Sequence, residues 1–360
     1  MATPPMDSKT DIKASAFPAC HVRFPQNMGR QAATFWLAAE EYVAEHLPEG
    51  NYFFTWQLSP TVVMGRNQVA HAEINLDYCR THGIDVVRRK SGGGCIYADE
   101  GNLMLSLITP SRAVETLFAE YATTVAQALN QLGAAVITTG RNDICLADGR
   151  KICGNAFYHL PKRNIVHGTM LFDTQAVNMQ NAITPDAAKL SKAGVASVKS
   201  RIGLLKDVLS IDIHQLRTAI ETSLCNEEVH LTHEDVKRIF ENEKAYRNPE
   251  FLYGKSRHTH ITHSDRIAGC GSVEIHFSLC GNTITDVRLT GDFFECGNAE
   301  EAFSKAFIGA SYHAESMREI IDTLHPEESI RNFSTQALRK LLNIEQEETN
   351  AYPKSENTNP

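Results

Sequence analysis

The stretch RRKSGGGCIYADEGN, Arg88–Asn102, decides how this chain is read. Three consecutive glycines, Gly92–Gly94, follow paired arginines and precede a short strand-like run, Cys95–Tyr97. Glycine tolerates positive φ and, lacking Cβ, lets the backbone come close to a bound group. Successive backbone N–H groups in such a loop form a concavity suited to an anion. Arg88 and Arg89 end the apolar strand Ile84–Val87, so a guanidinium would meet the same anion as a two-pronged donor. A plain Gly-rich turn between two strands is the competing reading. The loop is not a P-loop, because no Gly-Lys-Ser/Thr follows. It is not a dinucleotide fingerprint, because a strand rather than a helix comes next.

The 360 residues suffice for one large or two ordinary domains. Composition is globular, 42% hydrophobic and 22% charged. A formal net charge of −8 argues against a broad grip on nucleic acid but leaves room for one cationic pocket. The nine cysteines are scattered without a CxxC pair, which argues against a disulfide framework or zinc site and for a reducing cytoplasm. Residues 1–20 have no apolar h-region and read as a disordered leader, not a signal peptide. No run approaches the length of a membrane span.

Working outward, Gln31–Leu47 carries Ala32, Phe35, Trp36, Ala39, Tyr42 and Val43 at helical spacing, and its stripe reads as core. Tyr52–Gln57 and Thr61–Gly65 read as strands, with Ser59-Pro60 as the turn between them. Arg66-Asn67-Gln68 closes the second with polar groups that would point into a pocket. Asn75–His82 is a short helix, Leu103–Thr109 a strand, Ala113–Leu132 a long amphipathic helix and Ala134–Thr139 a strand.

The second informative stretch is GRNDICLADGRKICGNAFYHLPKRNIVHGTMLFD, Gly140–Asp173. Asp148-Gly149 between two short runs is a strong hairpin signal. A second turn at Leu160–Asn164 returns the chain through Ile165–Phe172, so the region is a β-meander. Asn142, Asp143, Lys151 and His167 lie on it. Lys151 is either an edge charge that guards the sheet or a pocket cation that bridges a phosphate and a carboxylate. Asp143 is then its counter-ion or a magnesium ligand.

Gln175–Ser191 reads as a polar helix, and Lys192–Leu205 as a basic-tipped loop, either a connector or a lid. Helices follow at Ile213–Leu224 and Thr232–Asn242, the second with Thr232 as N-cap and Asp235 in the capping-box position. Composition changes at Asn248–Ser256, which reads as a linker. Beyond it, strands at Ser272–Ser278 and Thr283–Leu289 and helices at Ala299–Phe307, Ala314–Leu324 and Thr335–Leu342 form a small α+β module. The expected organisation is a larger domain over 21–248, a smaller one over 249–344 and a disordered tail over 345–360.

Taken together, VVMGRNQ (Val62–Gln68), VVRRKSGGGCIYADEGN (Val86–Asn102), GRNDI (Gly140–Ile144), GRKICGNA (Gly149–Ala156), HGTMLFD (His167–Asp173) and SVKSRI (Ser197–Ile202) resemble, block by block and in order, the lipoate–protein ligases of the LplA type. The linker's FLYGKS and the module after it resemble the accessory domain of the longer ligases. The resemblance implies the α+β biotin/lipoate-ligase catalytic fold, a mixed and mostly antiparallel sheet flanked by helices and related to class II aminoacyl-tRNA synthetases. It implies ATP, Mg2+ and lipoate as substrates and metal. Lipoyl-AMP forms first, and a lysine of a lipoyl domain or of glycine-cleavage H protein then takes the acyl group. It implies a cytoplasmic monomer.

Carried over by position, the resemblance implies that Lys151 is catalytic and holds the lipoate carboxylate and the α-phosphate. It implies nucleotide contacts from Arg89, Gly94, Cys95, Ile96, Tyr97, Asn142 and Asp143, with Asp143 as metal ligand. It implies lipoate contacts from Arg66, Ser91, Gly92, Gly93, His167 and Gly168. Three positions depart from the family pattern. Ala98 stands where histidine is usual, Cys153 where serine or a small residue is usual, and Leu204 where asparagine is usual. The competing functions are octanoyl transfer through a cysteine thioester on the same fold, biotin ligation, and non-catalytic binding of lipoyl domains. The transferase motif's cysteine is absent at Ile183–Asp186.

Overall fold

The structure, a computed structural model, describes residues 18–26, 28–139, 142–183, 201–253, 261–280 and 283–345. The chain divides into two compact units, Met1–Arg257 with Thr290–Gly297, and His258–Leu289 with Asn298–Pro360. The expected lid lies outside the described residues up to position 200, as do the tail beyond 345 and the leader up to 17.

The first unit begins with strand β1 (Ala19–Arg23), helix α1 (Ala33–His46), strands β2 (Tyr52–Trp56) and β3 (Thr61–Met64), a helical turn α2 (Ala70–Glu73), helix α3 (Leu76–Thr81) and strands β4 (Asp85–Arg88), β5 (Ile96–Ala98) and β6 (Asn102–Pro110). Helix α4 (Val114–Gln131) leads to strands β7 (Val136–Thr138), β8 (Asp143–Leu146), β9 (Lys151–Leu160) and β10 (Arg163–Leu171). Helices α5 (Ala176–Ala182) and α6 (Ile213–Leu224), strand β11 (Cys225–His230) and helices α7 (His233–Tyr246) and α8 (Pro249–Tyr253) complete it.

Eight strands form one sheet in the order β11-β1-β2-β6-β10-β9-β8-β7, and β4-β3-β5 form a second, smaller one. The central strand β6 reads as a near-continuous apolar run because both of its faces are covered. Leu103, Leu105 and Leu107 pack with Leu117, Tyr121 and Val125 of α4 and Leu216 and Ile220 of α6. Met104 and Ile108 pack the opposite way, with Phe35, Ala39 and Val43 of α1. Each such buried side chain contributes about 1.5–3 kcal/mol against the entropy of ordering. The β8–β9 hairpin turns at Asp148-Gly149, where Gly149 has φ +89°, and Thr232 caps α7 in a full capping box with Asp235.

Two strands of the large sheet differ from the sequence expectation. Ala19 and Cys20, read as leader, open β1, which pairs in parallel with both β2 and β11. In β11 the two residues Glu227 and Glu228 are exposed, so the run CNEEVH lacks the apolar alternation that marks a strand. Its backbone partner is some two hundred residues away in the chain, beyond any local signal.

The second unit holds strands β12 (Ile261–Ile267), β13 (Gly271–Cys280) and β14 (Thr283–Gly291), in that order in one sheet. Helices α9 (Ala299–Phe307), α10 (Ala314–Leu324) and α11 (Thr335–Leu341) follow. Val273, Ile275 and Phe277 are buried with Phe303, Phe307 and Ile321. The end of β14 and the residues after it, Thr290–Gly297, belong to the first unit. Among the described residues no helix is long and apolar enough to cross a membrane.

Candidate active site

A cavity of about 240 Å³ opens in the first unit. Leu37, Trp56, Val63, Ile96 and Met104 supply apolar lining, and Asn142, Lys151, Asn155 and His167 supply polar lining. A site of mostly apolar wall with a few fixed polar groups suits an acyl chain that ends in a charged head.

The glycine loop forms one side, and its shape comes from captured cations. Arg88 is 1% exposed. Its Nη1 donates to the carbonyls of Gly65 at 3.0 Å, Arg66 at 2.8 Å and Gln68 at 2.7 Å, and its Nη2 donates to Leu252 O at 2.7 Å. Arg89 donates from Nε to Ser91 Oγ at 2.9 Å, from Nη1 to Val63 O at 3.1 Å, and from Nη2 to the carbonyls of Gly92 and Gly94 at 2.7 and 2.9 Å. Lys90 pairs with Glu41 at 2.7 Å. Burial lowers both guanidinium pKa values to about 10, which leaves them charged at neutral pH. The two-pronged anion grip expected of Arg88 and Arg89 is therefore not their arrangement here. These guanidiniums satisfy carbonyls that the turn would otherwise strand, and Arg89 alone of the two reaches the cavity lining.

Gly93 takes φ +88°, and a Cβ there would sit 2.7 Å from Phe294 Cε1. The loop is clasped from outside by the returning segment Thr290–Gly297. Gly93 N donates to Phe293 O at 2.7 Å and Gly291 N to Asn67 O at 2.9 Å. Asn67 Nδ2 donates to Glu295 Oε1 at 2.6 Å, and Arg66 Nη1 stands 3.3 Å from Glu295 Oε2.

Across the cavity, Lys151 begins β9 and Asp143 begins β8. The hairpin brings Lys151 Nζ to 2.8 Å from Asp143 Oδ1. Asp143 Oδ1 is buried and has no other polar partner among the described residues. The lysine stem lies over Gly154, where a Cβ would meet Nζ at 2.6 Å. Gly203 N donates to Lys151 O at 2.8 Å, so the chain re-enters the described structure beside this residue. Asn142 and Asn155 lock this end reciprocally, Asn142 Nδ2 to Asn155 O at 2.5 Å and Asn155 Nδ2 to Asn142 O at 2.8 Å.

Of the residues singled out in the sequence, Arg89, Gly94, Cys95, Ile96, Asn142, Lys151, His167 and Gly168 line the one cavity. Asp143 stands beside Lys151. Ser91 is buried behind the lining, 2.7 Å from His167 Nε2. Gly92 and Gly93 face the returning segment, and Arg66 is engaged with Glu295. Tyr97 is 1% exposed and packs with Val62 and Met64 in the small-sheet core. Its hydroxyl accepts from Asn178 at 3.3 Å, and burial pushes its pKa up to about 12. Ala98, where the family pattern has histidine, is fully buried in the core beneath α1. Cys153 is fully buried, and burial pushes its thiol up to about 12.

Residues the sequence reading missed include Leu37, Trp56, Met104, Asn155 and Phe294 of the lining, and Glu40 behind it. Glu40 is 3% exposed. It accepts from Ser106 Oγ at 2.5 Å and is 3.0 Å from His167 Nδ1. Its signal was present, since two carboxylates, Glu40 and Glu41, interrupt the apolar stripe of α1 between Ala39 and Tyr42. Phe294 had none.

Residues 32–225 match the family described as the lipoyl protein ligase A/B catalytic domain, and 256–342 match the bacterial lipoate protein ligase C-terminus. The lipoate-protein ligase LplJ of Bacillus subtilis is 32% identical over 318 residues, covering 85% of this chain and 95% of that protein. The solved structure of P. falciparum LipL1 in complex with lipoate superposes with a TM-score of 0.74 at 19% identity, over 90% of this chain and 98% of the other. That of lipoate-protein ligase A bound with ATP gives 0.57 at 21% identity, over 67% and 100%. Both structural likenesses are of fold.

Proposed function

Because this chain belongs to the lipoyl protein ligase A/B family, we propose that it joins lipoate to lysine side chains of carrier proteins in two half-reactions, the first driven by ATP. The observation that carries this reading is the place of the Lys151 ammonium: beside Asp143, over Gly154, in a cavity with both an apolar wall and a polar end.

In the first half-reaction a carboxylate oxygen of the acid bonds to the α-phosphorus of ATP, and the bond to pyrophosphate breaks. Two anions repel as they approach. An ammonium between them offsets that repulsion most as charge builds on the pentavalent phosphorus. Lys151 is a compact donor of three N–H bonds and suits that bridging. The cavity holds the acid in place and converts an encounter into an internal reaction. In the second half-reaction the neutral amine of an acceptor lysine bonds to the acyl carbon. The bond to AMP breaks, AMP keeps the electron pair, and the amine proton passes to solvent.

The donor set also fits magnesium. Asp143 Oδ1 is buried with the Lys151 ammonium at 2.8 Å as its one polar neighbour among the described residues, and Mg2+ is commonly held by one or two carboxylates together with substrate phosphates. Among the described residues no cluster of three or more His, Cys, Asp or Glu side chains stands as an all-protein site. Asp143 would hold the ion, which when bound would neutralise phosphate charge. The acceptors we assign are lipoyl domains of 2-oxoacid dehydrogenase E2 subunits and glycine-cleavage H protein, met by a monomeric enzyme in the cytoplasm.

A thioester route through Cys153 is disfavoured, because that residue, beside the cavity, is buried and its thiol is held as the unreactive protonated form. Lipoate-dependent exchange of pyrophosphate into ATP tests the reading. Lys151→Ala should lower it roughly 100- to 1000-fold. Undiminished exchange in that variant, or transfer from octanoyl carrier protein without ATP, would overturn the assignment.

A further inference from the structure

We propose that Glu40 is a positioning residue of this site. Its buried carboxylate on α1 sets the tautomer of His167 and, through His167 and Ser106, holds two walls of the cavity in register. The inference rests on reading the cavity as the acyl-activating site.

Six side chains form one buried line: Trp56, Ser106, Glu40, His167, Ser91 and Arg89. Trp56 Nε1 donates to Ser106 Oγ at 2.8 Å, and Ser106 Oγ donates to Glu40 Oε1 at 2.5 Å. Glu40 Oε2 is 3.0 Å from His167 Nδ1, and His167 Nε2 is 2.7 Å from Ser91 Oγ. Ser91 Oγ accepts from Arg89 Nε at 2.9 Å.

Both ends of this line can only donate, since neither an indole N–H nor a guanidinium N–H accepts. That fixes every direction between them. Ser106 receives from Trp56 and must give its own proton to Glu40. Ser91 receives from Arg89, and among the described residues the one acceptor in reach of its proton is His167 Nε2. His167 Nε2 is therefore bare, and its proton sits on Nδ1, pointed at Glu40. Two lines of donation converge, and only a group with two acceptor oxygens and no proton can stand where they meet. A doubly protonated His167 would leave the Ser91 hydroxyl, in a residue 2% exposed, without an acceptor.

The consequence reaches the walls. Trp56 belongs to the apolar lining, and His167 and Arg89 to the polar lining. Arg89 Nη2 holds the carbonyls of Gly92 and Gly94, so the shape of the glycine loop depends on where Arg89 Nε is anchored. One carboxylate thus sets an indole on one side and a guanidinium on the other. Glutamine at position 40 has the same shape but brings an N–H pair into the line. If that pair faces His167, the ring must shift its proton to Nε2 and the Ser91 proton is stranded. If it faces Ser106, the Ser106 proton is stranded instead.

The test is the long-range 15N–1H spectrum of the histidine rings in the full-length protein, with His167→Gln used to assign the His167 signals. The wild type should show His167 protonated on Nδ1 and bare on Nε2. Glu40→Gln should move that proton to Nε2 where its amide N–H pair faces His167, and leave it on Nδ1 with the Ser106 proton stranded where the pair faces Ser106; either way acid binding weakens. Ser106→Ala, which also disturbs the buried line but leaves both Glu40 oxygens, should leave the Nδ1 proton in place. In kinetics, Glu40→Gln should raise KM for the acid about tenfold, the scale of one stranded buried partner, and change KM for ATP less. A wild-type His167 protonated on Nε2 would overturn the proposal whether or not any variant folds. So would an unchanged tautomer together with an unchanged KM for the acid in a folded Glu40→Gln protein. Failure of the wild type to activate lipoate would instead count against the ligase reading, because the spectrum is recorded without substrate.

Discussion

Glu295 accepts a hydrogen bond from Asn67 at 2.6 Å across 228 positions of sequence, and the same carboxylate stands 3.3 Å from Arg66. The contact ties the segment that follows β14 to the turn after β3, where Arg66 N donates to Ser91 O at 2.9 Å at the start of the glycine loop. Replacing Glu295 by Ala strands the Asn67 amide, which is 2% exposed. A loss of about 1–3 kcal/mol is expected, together with faster amide exchange at Gly93, whose N–H is held by Phe293 O. Glu295→Gln keeps an acceptor oxygen and should lose less. Amide exchange followed by mass spectrometry reads both, and an unchanged Gly93 peptide in Glu295→Ala would show that the clasp is idle.

Gly154→Ala separates activity from stability. The new methyl meets the far end of a flexible lysine, Nζ at 2.6 Å and Cε at 2.7 Å, so the fold should give way cheaply while the ammonium leaves Asp143. Thermal unfolding should move little. Pyrophosphate exchange should fall on the order of 100-fold, the penalty for misplacing a positioned group by about an ångström.

Thiol chemistry should divide the cysteines by burial. Cys280 and Cys296 are exposed, while Cys145 and Cys153 are buried. Burial raises the pKa of both buried thiols, Cys153 to about 12. Alkylation at pH 8 should label Cys280 and Cys296 in the folded protein and reach Cys153 only after denaturation. Rapid labelling of Cys153 in folded protein would reopen the thioester route.

Acid stability follows in part from two histidines drawn out of water, His21 buried and His263 half-buried. Burial lowers the pKa of His263 below its ordinary 6.5, and burial does the same for His21 against the opposing pull of Glu221. The unfolded chain then binds these protons more readily than the folded one. The sign follows: stability is full above pH 6.5 and is lost as pH falls from there through the lowered values. His263→Gln should flatten part of the melting-temperature slope below pH 6.5. An equally steep slope in the variant would remove His263 from the account.

Local order was legible in the chain. The stripes of α1 and α4, the Asp148-Gly149 hairpin and the Thr232–Asp235 capping box arise from interactions a few residues apart, whose energies depend on the neighbours alone. The resemblance of ordered blocks led to the right family and to about half of the cavity lining, because those blocks carry the side chains themselves. What a cation or carboxylate would do was not legible. Arg88 and Arg89 in a glycine-rich stretch look the same whether they await an anion or hold carbonyls, and only the packing of β3, α8 and the loop decided it. Glu40 as the meeting point of two donor lines, β11 as the partner of β1, and Thr290–Gly297 as part of the catalytic unit were likewise settled by tertiary structure. Each depends on burial, which removes water as the alternative partner and forces every polar group to find its match wherever in the chain that match lies.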